Sequence, residues 1–370
     1  DGVVIWCFVI CKQRLCDIDF ASAIIFMRRL LSALPVSQPK IGVISMIIFA
    51  MPGQGTCGPV PLDFMCENLP VFACYVAEAE EYFYNKKISV KKLLKKGKPE
   101  NTKEEHISSF VFSVGLANEF ISRGVIPDCI VGHSLGEISA LCTAEAINYT
   151  NSLKFVYERA SLMDNIEYSG AMAAVREDEE KLREIIAPYA EHVSIAALNG
   201  PKTSVISGRT AEVRKVEKIL DLSSIRHKRL KVPFAAHSPA ADTILSFIEN
   251  AAPDITGELA YKVFSTVTGG KLESSELQKN FWRRHCRGTV LFAEALASAR
   301  SYSKCAEDDI TAVEFGVHRV LASGGLALFP KSKWYGACTM PSWEDGRSQE
   351  YCFAKGIENT LSSLKSHTSK

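Results

Sequence analysis

Residues 131–137, VGHSLGE, form the most informative stretch of this sequence. An apolar run precedes them and a run of helical composition follows, which predicts a strand, a sharp turn and a helix. G-x-S-x-G in that context is typical of a nucleophile elbow, because flanking glycines permit a turn too tight for side chains. We expect Ser134 to expose its hydroxyl at a helix N-terminus. There the backbone N–H of Leu135 could face an oxyanion.

The sequence around the elbow predicts a parallel sheet. Residues 41–50 are continuously apolar and are followed at once by the Pro/Gly-rich residues 51–55, as in a buried strand that enters a loop. Residues 107–123 predict a helix that ends at Gly124, and residues 125–132 predict the strand before the elbow. A helix over residues 152–164 carries Arg159. We therefore predict an α/β protein with an α/β-hydrolase-like large domain built on a parallel sheet.

A second pattern indicates an inserted subdomain. Strand, helix, strand, strand, helix and strand follow one another within residues 171–232, which is the ferredoxin-like order. We expect this small subdomain to interrupt the large one. The predicted organisation is a linker or poorly defined N-terminal segment (1–44), the first part of the large subdomain (45–169), the ferredoxin-like small subdomain (170–232), the second part of the large subdomain (233–345), and a C-terminal helix or tail (346–370).

Composition excludes several classes of protein. The 370 residues carry a formal charge of +1, which argues against a nucleic-acid partner because such proteins have a clustered basic excess. Apolar runs are too short to span a membrane. The 12 cysteines form no Cys-x-x-Cys pair, so we expect reduced thiols, a cytoplasmic location and no metal site. Because the sequence begins with Asp1, we expect a fragment or a processed product.

A nucleophilic serine needs a base, and His237 is the best placed of the 8 histidines. It lies in residues 232–239, VPFAAHSP, where the predicted small subdomain ends. A histidine that lies between small residues and a proline at a domain junction is well placed to line a cleft between the two domains. His133 is adjacent to Ser134, but we expect its side chain to leave the elbow in another direction.

Six motifs together resemble a known family. They are GQG at 53–55, GHSLGE at 132–137, YERA at 157–160, NGP at 199–201 with VISG at 205–208, AHSP at 236–239, and EFGVH at 314–318. Over about residues 45–340 the chain resembles the malonyl-CoA:acyl-carrier-protein transacylases, especially the acyltransferase domains of polyketide and fatty-acid synthases.

The resemblance implies ping-pong acyl transfer with no bound cofactor. Ser134 attacks an acyl-CoA thioester, His237 acts as general base, and the N–H groups of Gln54 and Leu135 form the oxyanion hole. The phosphopantetheine thiol of an acyl carrier protein then takes the acyl group. A backbone carbonyl orients the histidine in this family, and Gly288 is a loose candidate for it.

The resemblance also implies a substrate class and its partners. Arg159 matches the arginine that pairs with the free carboxylate of malonyl or methylmalonyl groups, a contact that suits the guanidinium fork. We place His133, Ala236 and His106 beside the substrate. Partners would be the carrier protein, malonyl-CoA or methylmalonyl-CoA, and other synthase domains of a larger chain.

Four residues depart from the family pattern, and two of them, Val317 and Thr289, stand in place of prolines usual in the later motifs, a difference that we interpret as structural. Ala236 stands where malonyl-specific members have a bulky residue, so the site could admit an α-methyl group. His106 stands where many members have glutamine.

Two other interpretations stay open at this level. One is a serine hydrolase or thioesterase that releases acyl groups to water, against which Arg159 and the ferredoxin-like insert argue. The other is a non-catalytic scaffold within a synthase, against which the combined presence of Ser134, His237 and Arg159 argues.

Overall fold

The computed structural model describes residues 45–166, 169–230, 232, 235–255, 257–338 and 349–368. The expected N-terminal segment, residues 1–44, lies outside these residues. The strands are β1 (Met46–Met51), β2 (Cys129–Gly132), β3 (Gly170–Val175), β4 (Val193–Gly200), β5 (Thr203–Arg209), β6 (His227–Arg229), β7 (Val263–Phe264), β8 (Ile310–Glu314) and β9 (Lys333–Gly336).

The helices surround two sheets. They are α1 (Leu62–Asn68), α2 (Pro70–Tyr84), α3 (Val90–Lys96), α4 (Thr102–Ser122), α5 (Leu135–Thr143), α6 (Tyr149–Asp164), α7 (Glu179–Ile186), α8 (Thr210–Leu222), α9 (Leu245–Ala251), α10 (Lys279–Arg287), α11 (Phe292–Ser303), α12 (Ala322–Leu328) and α13 (Gln349–Thr368). Short 3-10 turns lie at Ala187–Tyr189, Pro239–Ile244, Ser274–Glu276 and Glu307–Asp309.

The larger sheet is parallel and covered on both faces. Its strand order is β7-β2-β1-β8-β9, with parallel pairing throughout. Successive side chains of a strand point to opposite faces, so Ile47 and Phe49 enter the core on one side while Met46 and Ile48 enter the core on the other. This double burial explains why residues 46–51 are continuously apolar.

The strand before the elbow is shorter than the apolar run predicted. It begins at Cys129, not at Val125. Pro127 has no N–H to give to a ladder. The carboxylate of Asp128 accepts a hydrogen bond from the backbone N–H of Ile47 at 2.7 Å, where a neighbouring carbonyl would otherwise bind. Pairing with β1 therefore starts only at the Ile48–Cys129 pair.

The smaller sheet is antiparallel, with strand order β4-β5-β3-β6. Helices α7 and α8 complete the order strand, helix, strand, strand, helix, strand, as predicted. The strand predicted over 225–232 is an edge strand of only three residues, His227–Arg229. Ala196 of β4 shares a core with Ile48 of β1 and with Phe292, so the small sheet packs against the large one.

The α/β class is confirmed, with its parallel sheet, α/β-hydrolase-like large domain and inserted ferredoxin-like subdomain. Within the described ranges, no helix is both long and apolar enough to cross a membrane.

Candidate active site

The elbow joins β2 to α5, and two glycines permit its shape. A Cβ at Gly136 would lie 2.0 Å from the carbonyl oxygen of Met51, and one at Gly132 would lie 2.3 Å from that of Gly136. Ser134 has φ 53° and ψ −116°, a conformation that costs about 1–3 kcal/mol for a non-glycine residue. The tight turn places the Ser134 hydroxyl at the start of α5.

Ser134 and His237 come together from positions 103 residues apart. Ser134 Oγ lies 2.7 Å from His237 Nε2, and His237 Nδ1 lies 2.9 Å from the carbonyl oxygen of Gly288. A carbonyl only accepts hydrogen bonds, so Nδ1 carries the ring hydrogen of the neutral imidazole and Nε2 is left to accept the serine hydrogen. Gly288, which the sequence suggested for the orienting carbonyl, therefore supplies a backbone carbonyl that binds His237 Nδ1.

The environment keeps His237 neutral. Burial lowers the pKa of His237 well below its usual value, and the nearby Arg159 guanidinium acts in the same direction. His285 and His133 add smaller effects, and the hydrogen bond to Gly288 opposes them. The imidazole is therefore in its proton-accepting form near neutral pH.

Arg159 is a buried cation with free donors. Its side chain on α6 is only 1% exposed, and its Nε and Nη1 atoms have no hydrogen-bond partner among the described residues. Burial lowers the pKa of Arg159. Its charge also contributes, after burial, to the lowered pKa values of His106, His237 and His285, so it faces the same site. An unpaired buried guanidinium is costly, and an anionic ligand would remove that cost.

Gln54 and His106 lie beside each other near the elbow. His106 is fully buried, and its Nε2 lies 3.4 Å from Gln54 Oε1. A Cβ on the preceding Gly53 would lie 2.7 Å from the carbonyl oxygen of His133, which places this loop against the elbow. The N–H of Leu135, the first residue of α5, is one of the four amides that a helix leaves without an intrahelical partner.

His133 and Ala236 are each adjacent in sequence to one of the two hydrogen-bonded residues, Ser134 and His237. His133 Nε2 donates a hydrogen bond to Asn199 Oδ1 of β4 at 2.8 Å, which directs the ring towards the small subdomain. Burial lowers the pKa of His133. Ala236 is 4% exposed and adjoins His237, so it packs within the large core.

Sequence reasoning missed His285. This residue of α10 is 3% exposed, and its Nε2 lies 2.8 Å from the carbonyl oxygen of Ser134. Burial is the main cause that lowers the pKa of His285 to about 3. No signal in residues 279–287 marks this histidine, because the contact joins positions 151 apart.

Sequence reasoning also assigned no role to Glu137, which is fully buried on the first turn of α5. Its Oε2 lies 3.2 Å from the N–H and 2.8 Å from the Oγ1 of Thr266. Burial raises the pKa of Glu137 to about 7, and the hydroxyls of Ser265 and Thr266 limit the rise.

Comparisons with known proteins identify the family. The acyl transferase domain model matches residues 48–359. The erythronolide synthase EryA2 of Saccharopolyspora erythraea is 31% identical over 256 residues, which is 68% of this chain but 7% of that protein.

Solved structures share the fold. A loading acyltransferase from the avermectin modular polyketide synthase has a TM-score of 0.74 and 25% identity, covering 86% of this chain and 99% of its own. An acyl carrier protein S-malonyltransferase from Vibrio cholerae has a TM-score of 0.69 and 23% identity, covering 79% and 96%. The resemblance drawn from the motifs is confirmed: this chain belongs to the acyl transferase domain family of enzymes.

Proposed function

We propose that the domain moves a malonyl-type group from coenzyme A to the phosphopantetheine thiol of an acyl carrier protein, through an acyl ester on Ser134. The observation that carries this proposal is the hydrogen-bonded series Ser134–His237–Gly288, with the unpaired guanidinium of Arg159 facing the same site. The polyketide synthases that the chain resembles transfer acyl groups within large assemblies, so a carrier protein is the acceptor that we expect.

The geometry supports a balanced two-step reaction. Ser134 Oγ bonds to the thioester carbonyl carbon while His237 Nε2 takes the hydroxyl proton. The oxyanion meets the N–H groups of Leu135 and Gln54. The C–S bond then breaks, and the coenzyme A sulfur leaves with the proton from Nε2. In the second step the carrier thiol gives its proton to Nε2, attacks the ester carbonyl, and releases Ser134, which regains the proton.

No acidic residue is needed behind His237. The imidazolium that forms during the attack still donates its Nδ1–H to the carbonyl of Gly288. The residues that follow Gly288 are fixed in turn by hydrogen bonds to β4. Thr289 Oγ1 donates to the carbonyl of Ile195 at 2.7 Å, and Val290 N–H donates to that of Ala196 at 2.9 Å. The segment after α10 is thus attached to β4. A fixed carbonyl dipole stabilises the transient cation without drawing a proton away.

Arg159 supports a dicarboxylic acyl group. A guanidinium that has lost its water gains two charge-assisted hydrogen bonds from a malonyl carboxylate and none from an acetyl group. The small Ala236 leaves room near the α-carbon, so we include methylmalonyl among the substrates. His106 and His133 complete the surroundings of the acyl group as neutral, buried rings.

Intact-mass measurement tests the proposal. The wild-type domain and Ser134→Ala are incubated with malonyl-CoA, methylmalonyl-CoA and acetyl-CoA in competition. We expect a malonyl or methylmalonyl adduct on the wild type only, and its transfer to an added carrier protein. An acetyl adduct in excess would contradict the assignment of Arg159. Free acid in place of carrier-bound product would instead favour the hydrolase interpretation.

A further inference from the structure

The carbonyl oxygen of Ser134 is held from two sides. It accepts the backbone N–H of Glu137 at 2.9 Å and the Nε2–H of His285 at 2.8 Å. Because the carbonyl can only accept, His285 is the tautomer with hydrogen on Nε2. Both lone pairs of the carbonyl are therefore engaged. The second bond comes from a different element, the helix α10.

The bond from His285 has a consequence for the next amide. The carbonyl of Ser134 and the N–H of Leu135 belong to one planar trans peptide unit and point in opposite directions. A contact that fixes the direction of the Ser134 carbonyl therefore also fixes the direction of the Leu135 N–H. Ser134 is in a strained conformation with φ 53°, which persists only where surrounding contacts impose it. Loss of the His285 bond would leave this carbonyl held only by the N–H of Glu137, so the strained peptide unit could tilt and misaim the Leu135 amide.

The same turn of α10 also holds the base. The carbonyl of Cys286 accepts the N–H of His237 at 3.3 Å, and the carbonyl of Gly288 accepts His237 Nδ1–H at 2.9 Å. Residues 285–288 thus contact the nucleophile on one side and the imidazole on the other. Their geometry sets the relation between the two halves of the site.

His285 is poorly explained by stability alone. Its ring is 3% exposed, and its Nδ1 has no hydrogen-bond partner within the part of the chain that the structure describes. A buried polar atom without a partner costs about 1–3 kcal/mol, which an apolar side chain of similar size would avoid. A histidine at this position provides the hydrogen bond from Nε2 to the carbonyl of Ser134, which an apolar side chain could not make.

We propose that His285 is a positioning residue: its Nε2–H fixes the Ser134–Leu135 peptide plane and so aims the Leu135 amide at the oxyanion of the thioester attack. This inference rests on the proposed acyl transfer. A hydrogen bond to the carbonyl also polarises the peptide unit, which makes its N–H a stronger donor. His285 itself does not contact the reacting atoms.

A matched pair of variants tests the inference. His285→Gln retains an N–H donor at the distance of Nε2, whereas His285→Met has nearly the same length and volume but no donor. The rate of Ser134 acylation by malonyl-CoA is followed by rapid quench and intact mass, with saturation curves and thermal unfolding measured on the same samples. Removal of one oxyanion-hole donor typically costs about 100- to 1,000-fold in kcat, so a misaimed donor should cost about 10- to 100-fold.

We expect His285→Met to acylate about 10- to 100-fold more slowly at saturation, with KM for malonyl-CoA unchanged, and His285→Gln to recover most of that loss. Equal acylation rates for the folded Met and Gln variants would overturn the inference. If Met does not fold, a folded Gln variant that is as slow as an oxyanion-hole deletion would overturn it instead. A wild type that forms no acyl-enzyme would refute the proposed function itself, which is a separate result.

Discussion

Replacing Glu137 by Gln should change how stability depends on pH. Thr266 Oγ1 has one hydrogen and two acceptors at 2.8 Å, the carbonyl of Gly132 and Glu137 Oε2. An ionised Glu137 competes with Gly132 for that hydrogen. A protonated Glu137 donates its own hydrogen to Oγ1, and the hydroxyl then satisfies Gly132. Burial favours the neutral carboxyl and outweighs the hydrogen bonds from Ser265 and Thr266, which favour the ionised form.

The magnitude follows from linkage. The pKa of Glu137 is raised from 4.5 to about 7 in the folded protein, and each unit is worth about 1.4 kcal/mol, which gives about 3 kcal/mol. The folded state binds this proton more tightly than the unfolded state does. The stabilisation is therefore fully present below about pH 4.5 and is lost as pH rises through about 7.

Equilibrium urea unfolding at several pH values between about 5 and 8.5 measures the effect. Glutamine is uncharged at every pH and has nearly the shape of the neutral carboxyl, and its oxygen in the place of Oε2 can accept both the N–H and the Oγ1 hydrogen of Thr266. We expect Glu137→Gln to exceed the wild type by less than about 1 kcal/mol near pH 5 and by up to about 3 kcal/mol near pH 8.5.

A control variant separates this effect from general charge removal. Glu258 is exposed, so Glu258→Gln should follow the wild-type curve at every pH. Parallel curves for Glu137→Gln and the wild type would refute the reasoning. So would a variant that loses stability relative to the wild type as pH rises, because that result requires an ionised and well-solvated carboxylate.

Three further changes probe the proposed chemistry. Arg159→Ala should reduce malonyl transfer by about 30-fold or more and acetyl transfer far less, measured as kcat/KM for each donor; equal losses would exclude a carboxylate contact. Burial lowers the pKa of His237, and the neutral imidazole is the base, so kcat/KM for acylation should stay constant as pH falls below about 6.5. A fall in kcat/KM with a midpoint at or above that pH would contradict this. Ala236→Phe should penalise methylmalonyl more than malonyl in a competition assay; an unchanged product ratio would show that position 236 does not face the α-carbon.

Local pattern in the sequence was enough for the fold class and for the nucleophile elbow. The constraint on Gly132 is local, because a Cβ there would meet the backbone of Gly136 and Glu137, whereas the constraint on Gly136 comes from the Met51 carbonyl of the neighbouring strand β1. The order of strands and helices in residues 170–229 likewise follows from hydrophobic periodicity. Strand ends were less accurate, because the start of β2 depends on the contact between Asp128 and Ile47 across 81 positions.

The sequence by itself determined which residues were available: an elbow serine, a histidine near a junction and an arginine on a helix. Only the tertiary structure decided which of them meet. The Gly288 carbonyl that orients His237, the His285 ring on the Ser134 carbonyl and the Thr266 hydroxyl against Glu137 are contacts across 51, 151 and 129 positions. No period or propensity encodes such pairs, because they arise where packing brings the end of α10 and the loop after β7 against the elbow.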